Sequence, residues 1–171
     1  NNIEKLTCKK HKLLEGELEN EHSITKIYAL NEIRIENPFH TLEANVYFDD
    51  EFFELFNGNG LMVSSSIGSS AYNKSLGGAV VDTSLDVLEL TEIATIQNNI
   101  HRSLGSSLIV SNRSKISFIG DFNNVVVGYD NNTLPINNYK KINIKISEKE
   151  VKILHDKNRS NWKILKDSFI Y

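Results

Sequence analysis

Cysteine, proline, tryptophan and methionine are all scarce in this sequence: one Cys, two Pro, one Trp and one Met in 171 residues. A lone Cys8 rules out an internal disulfide framework and fits a reducing, cytoplasmic setting. With it, the dispersed His11, His22, His40, His101 and His155 offer no spacing from which a zinc set can be written. No apolar run reaches bilayer length, and no charged-then-apolar opening marks a signal peptide, so no membrane partner is expected. The sharper nucleotide and nucleophile fingerprints are missing too. Val63 stands where a third glycine would complete G-x-G-x-x-G, and neither a G-K-[ST] loop nor a G-x-S-x-G elbow occurs.

What is present is a chain 40% hydrophobic and 24% charged, long enough to bury a core as one domain. Its net charge of -3 hides an asymmetry, with the acids gathered in the first third and the lysines toward the end, from Lys140 to Lys166. Acids interleave that basic end and aromatics are sparse, so it reads as a solvated face and not as a nucleic-acid surface. Apolar residues alternate with polar ones at Leu42, Ala44, Val46 and Phe48 and again at Ile142, Ile144 and Ile146. Period two of this kind predicts strands. Lys12 to Glu19 and Thr25 to Glu36 read as a hairpin, Asp49-Asp50 as a turn, and further strands are expected at 79–81, 85–90, 108–110, 115–119, 125–129, 142–146 and 151–154. Helix is expected only at 70–76 and near 162–166. The fold class is therefore mainly β, a multi-stranded sandwich or barrel-like domain with one short helix after a Ser/Gly-rich loop.

That loop lies in the stretch from Gly58 to Gly78, the part of the chain densest in chemistry. Gly58 and Gly60 bracket Asn59 as a tight turn or a close backbone approach, Leu61 to Val63 form a short buried strand, and Ser64, Ser65, Ser66, Gly68, Ser69 and Ser70 follow. Ser69 or Ser70 is a fair N-cap for the helix carrying Tyr72, and such a helix start suits an anionic or hydroxyl-rich ligand. On residue chemistry alone, a solvated loop is the simpler reading. Asn31-Glu32 places two acceptors side by side in an otherwise apolar strand reading, as a strand end or as a grip for vicinal hydroxyls.

Gly58-Asn-Gly-Leu-Met-Val-Ser64, then Gly68-Ser-Ser-Ala-Tyr72, resembles the central motif of the NAD kinases, G-D-G-L-x-x-S-T-P-[TS]-G-[ST]-T-A-Y. Ala29-Leu-Asn-Glu32 stands upstream where that family carries A-L-N-E, and Leu90 to Ala94 and Trp162 to Phe169 are also similar to family segments. The resemblance spans nearly the whole chain. It implies that residues 1–156 are the NAD-binding C-terminal β domain, and that 157–171 close back on an N-terminal α/β domain whose G-G-D-G-T motif is absent from this chain.

Carried over position by position, the resemblance implies that Asn31 and Glu32 hold the adenosine ribose and that Ser70, Ala71, Tyr72 and Ser75 contact the dinucleotide. Ala94 would reach it across a subunit contact, and Asp130 supplies an acid near the strand after Val125. Asn59 stands in place of the family's Asp, and Ser66-Ile67 in place of Pro and a small hydroxyl residue. The activity implied is phosphorylation of the 2′-hydroxyl of NAD by ATP with a divalent metal, Mg2+, to give NADP, in a homodimer or homotetramer. No catalytic group is expected on this chain, which alone is expected to be inactive. The alternative is a nucleotide-binding or oligomerisation domain without catalysis.

Overall fold

The computed structural model describes residues 5–170, and its elements follow from the alternation just noted. Twelve strands run β1 (Leu6–Asn20), β2 (Ile24–Ala29), β3 (Glu32–Glu36), β4 (Leu42–Phe48), β5 (Glu51–Gly58), β6 (Gly60–Ser65), β7 (Val87–Ile93), β8 (Leu108–Ser111), β9 (Ile116–Phe122), β10 (Val125–Tyr129), β11 (Asn132–Ile136) and β12 (Tyr139–Asp156). A 3-10 turn (Gly68–Ser70) leads into α1 (Tyr72–Ser75), and α2 (Asn161–Phe169) follows β12. No helix among the described residues is long and apolar enough to cross a membrane.

The strands form two antiparallel six-stranded sheets, ordered β2-β1-β12-β9-β4-β5 and β11-β10-β3-β6-β7-β8. One residue in two along each strand faces the partner sheet. Leu14, Leu18, Ile27, Val46, Ile116, Phe118, Ile142 and Ile144 of the first sheet meet Ile33, Ile35, Leu61, Val63, Leu88, Leu90, Val125 and Val127 of the second, all buried. This is the sandwich that the period-two pattern predicts.

Four local expectations are corrected. Thr25 to Glu36 is not one strand: β2 belongs to the first sheet and β3 to the second, so Leu30-Asn31 is the corner where the chain changes sheets. Residues 142–154 do not break at Glu148-Lys149, because β12 runs through that point as a bulge, Lys12 opposing Glu150 while Leu14 opposes Ile146. Residues 79–81 form no strand. At Gly58 and Gly60 the backbone is not left-handed. Glycine is required at position 60 because a Cβ would strike the carbonyl oxygen of Ile35 on the paired strand. The Asp49-Asp50 turn does form, with both residues left-handed, at φ 51° and 72°, as a two-residue hairpin loop demands.

Candidate functional site

The corner at Leu30-Asn31 is tied from three directions. The Asp130 carboxylate accepts from the backbone N–H of Leu30 at 2.8 Å and of Asn31 at 2.7 Å, and the Asp130 N–H donates to the Glu32 carbonyl at 3.1 Å. Asp130 sits in the β10–β11 turn at φ 49°, a left-handed conformation that Asp tolerates better than most residues. From β6, the Ser65 N–H donates to the Asn31 carbonyl and the Ser65 hydroxyl to the Leu30 carbonyl. Gly68 closes the third side, so near the Asn31 backbone that any Cβ there would overlap its carbonyl. Gly68, Ser65 and the distant Asp130 thus hold the backbone of Leu30 and Asn31. The Asn31 side chain makes no hydrogen bond among the described residues.

Glu32 opens β3 on the outer face of the second sheet, with Arg34 and Glu36 beside it on the same face, because alternate residues of a strand share a side. It is 5% exposed. One carboxylate oxygen lies 3.7 Å from Arg34 Nη1, while the other, Oε2, is buried without a hydrogen-bond partner among the described residues. The cross-strand partner of Glu32 is Ser64, whose hydroxyl is likewise buried and unpartnered. Burial pushes the Glu32 carboxyl above the usual carboxylate range, the Arg34 guanidinium opposes that rise, and the negative charge of Asp130 adds to it. Two unsatisfied oxygen groups on neighbouring strands are costly in a fold unless something binds them.

The Ser/Gly segment arches over this face. α1 is shorter than the helix expected, and no serine caps it: Ala71 occupies the N-cap without a side-chain hydrogen bond. The segment is held instead by Asn73, fully buried, whose amide donates to Glu89 at 2.9 Å and accepts from the Thr91 hydroxyl at 2.7 Å. Those anchors set Tyr72 at the rim, its ring over the Arg34 guanidinium at 5.3 Å and its hydroxyl 3.5 Å from Glu36. Burial, then Glu36, raises the Tyr72 phenol above its ordinary value. Ser70 and Ser75 spend their hydroxyls locally, on the carbonyls of Ile67 and Tyr72.

The structure therefore brings Asn31, Glu32 and Asp130 together and sets Tyr72 over the same face, with Ser70, Ala71 and Ser75 on the overlying segment. Asn59 and Ala94 lie elsewhere. In the β3–β6 register Gly60 opposes Glu36 and Ser64 opposes Glu32, so Asn59 is past the far end of the strand, roughly 13 Å or more from Glu32 at about 3.3 Å per residue. There its side-chain amide donates to the Asn37 carbonyl, its backbone N–H bonds to Ile93, and the left-handed Ala94 follows directly. Sequence reasoning missed Arg34 and Glu36. The signal was present as Glu32-x-Arg34-x-Glu36, three charges at alternate positions and so on one face of a strand. Among the described residues no three His, Cys, Asp or Glu side chains come together to hold a metal ion.

Residues 30–156 match the family model of the ATP-NAD kinase C-terminal domain. The chain is 38% identical to the NAD kinase of Lactobacillus acidophilus over 162 residues, covering 94% of this chain and 61% of that one. It is 35% identical to NAD kinase 2 of Bacillus subtilis over 172 residues, covering 98% and 63%. The chain thus spans about three fifths of the length of these curated relatives. Among solved structures, yeast NADH kinase complexed with NADH superposes with a TM-score of 0.79 at 19% identity, covering 95% of this chain and 48% of that one. An NAD kinase from Archaeoglobus fulgidus in complex with ATP does so at 0.76 and 22%, covering 96% and 61%. At these identities the two structures speak for the fold.

Proposed function

Because this chain belongs to the NAD kinase family, as its C-terminal domain, we propose that it is the NAD-binding part of an enzyme that transfers a phosphoryl group from ATP to the 2′-hydroxyl of the adenosine ribose of NAD, making NADP. The observation that carries this reading is the buried, unpartnered oxygen of Glu32 beside the unpartnered hydroxyl of Ser64. An ionised carboxylate accepts from two vicinal hydroxyls, and such charge-assisted bonds are the strong ones. The clamp on the Asn31 backbone keeps these acceptors in one place, and holding the acceptor hydroxyl toward an incoming phosphate is the larger part of what a phosphotransferase does.

ATP and its Mg2+ are assigned to a part of the protein outside this chain. No catalytic group is assigned to this chain either. α2 buries none of its residues and exposes Trp162 and Phe169, with the exposed Ile170 just after it, which suits it to dock on such a further part. A homodimer or homotetramer belongs to the same reading: Ile96, Ile100 and Leu104 lie exposed in the loop after Ala94, where a second subunit would be met. The alternative, a nucleotide-binding or assembly domain without catalysis, draws on Asn59, which has no carboxylate and whose amide is turned into the fold.

Purified chain, alone and joined to the part preceding it in its reading frame, is assayed for NADP formation. Turnover is expected only from the longer protein. Calorimetric titration of NAD into the Glu32→Ala variant should show a loss of about 1.5 to 3 kcal/mol, the range for bonds to a charged group, with the melting temperature held or raised. Unchanged NAD affinity would remove Glu32 from the ribose site. Binding without turnover in the longer protein would favour the alternative.

A further inference from the structure

Arg34 is out of place as a surface residue. Its side chain is 18% exposed, on a face where its neighbours are Glu32, Glu36 and the Tyr72 ring. The guanidinium donates from Nε to Glu36 Oε2 at 2.7 Å, turns Nη1 toward Glu32 Oε1 at 3.7 Å, and lies 5.3 Å from the centre of the Tyr72 ring. Room for it comes from the next strand, where Gly128 pairs with Arg34 and a Cβ would collide with the guanidinium. Three elements, β3, β10 and α1, are therefore shaped around one planar cation, a role that a lysine ammonium, a compact point charge, does not reproduce.

We propose that Arg34 is a positioning residue of the acceptor site: its guanidinium fixes the charge and direction of the Glu32 carboxylate and the plane of the Tyr72 ring without itself touching the acceptor. The inference rests on the reading of Glu32 as the ribose-holding group. The titratable groups facing Glu32 are Arg34 on its own strand, Asp130 from the β10–β11 turn and Tyr72 from α1, and of these Arg34 alone is positive. Ser64, across on β6, is neutral, and Glu36 lies beyond Arg34 with its own carboxylate on the guanidinium. Burial and Asp130 both favour a protonated Glu32, and a protonated carboxyl spends one oxygen as a donor. Arg34 opposes both. Through Glu36 it also ties the Tyr72 hydroxyl to the same network, so the floor and the rim of the site share one anchor.

The test compares the unchanged chain with Arg34→Gln and Arg34→Lys, following the Glu32 side-chain carboxyl by carbon NMR across pH and titrating NAD over the same range. Arg34→Gln should raise the Glu32 midpoint by about one pH unit, and Arg34→Lys by less. NAD affinity should fall toward low pH in every variant, since protonation removes an acceptor, and in Arg34→Gln the fall should set in about one pH unit higher than in the unchanged chain. Should the glutamine variant not fold, the lysine variant carries the comparison through its smaller shift in the same direction. An unmoved Glu32 midpoint, or a loss of affinity equal at every pH, overturns the proposal. A shifted midpoint in a chain that binds no NAD supports the electrostatic role of Arg34 and strikes the ribose reading instead.

Discussion

Glu54 shows at the scale of one residue how burial and a neighbour set a charge. It is 8% exposed on β5, one carboxylate oxygen accepting from the Leu104 N–H at 2.9 Å and the other buried without a partner among the described residues. Burial pushes its carboxyl up to about 7; the Leu104 N–H opposes the rise and the nearby Glu92 carboxylate adds to it. An unfolded glutamate ionises near 4.3. Between the two values the folded chain holds a proton that the unfolded chain has released, so stability falls as pH rises through that window and levels off above about 7. Glu54→Gln keeps an acceptor for Leu104 and offers Glu92 a donor. It should therefore leave stability at pH 4.5 nearly unchanged and raise it at pH 8 by about 1 to 2 kcal/mol, discounted from the full linkage for solvent relaxation. Denaturant midpoints of both proteins across pH 4.5 to 8 check this, and parallel curves would show that Glu54 titrates normally.

Among the elements, the segment from Gly68 to Gly78 leans on residues outside itself. A four-residue helix has no cooperative stability, and α1 lacks a side-chain cap. Buried Asn73 supplies what is missing, bridging Glu89 and Thr91 of β7, while the Glu89 carboxylate also accepts from the Ala79 N–H at 2.7 Å. Asn73→Ala should cost about 2 to 3 kcal/mol, since it strips a hydrogen bond from a buried carboxylate that burial already pushes upward. Asn73→Asp should cost more at pH 8, where two carboxylates would face each other. Urea unfolding of the two variants decides it: if aspartate is tolerated as well as asparagine, Glu89 does not meet this side chain. Alternation at 42–48 and 142–146 revealed the strands and Asp49-Asp50 the hairpin turn, because period and turn chemistry are local. The change of sheet at Leu30-Asn31 was hidden, since a corner fixed by Asp130 a hundred positions later leaves no local mark. Asn31, Glu32 and Tyr72 were legible through a motif. Arg34 was not, because its meaning comes from Gly128 and Tyr72, which meet it only in the fold.

Seen whole, the molecule is a sandwich whose first sheet runs on at one end as two strands. β1 and β12 pair from Leu6 opposite Asp156 to Asn20 opposite Tyr139, but β2 joins β1 only from Leu14 and β9 joins β12 only from Ile144 back to Tyr139. Residues 6–12 and 150–156 thus extend the first sheet as a two-stranded ribbon beyond the reach of β2 and β9, marked off by the bulge at 147–149 and bearing an exposed Lys10–Glu150 ion pair. Two strands without a third are marginal in water. Amide exchange in the ribbon should be faster than at 14–18 and 142–146 by at least about tenfold, a gap of about 1.4 kcal/mol in opening free energy, and equal protection would mean that the ribbon is braced by something else.

The same ribbon has a mechanical consequence. Its two strands run antiparallel and end side by side, Leu6 against Asp156, with α2 leaving from that end. A pull separating residue 6 from α2 loads the rungs one after another, as a zipper, and not all together in shear. Little force is needed to part them, and the tear should halt at the bulge, where β2 and β9 begin to share the load. The Asn31–Glu32 corner lies behind that stop, so strain arriving through residue 6 and α2 would be spent in the ribbon before it reached the proposed acceptor site.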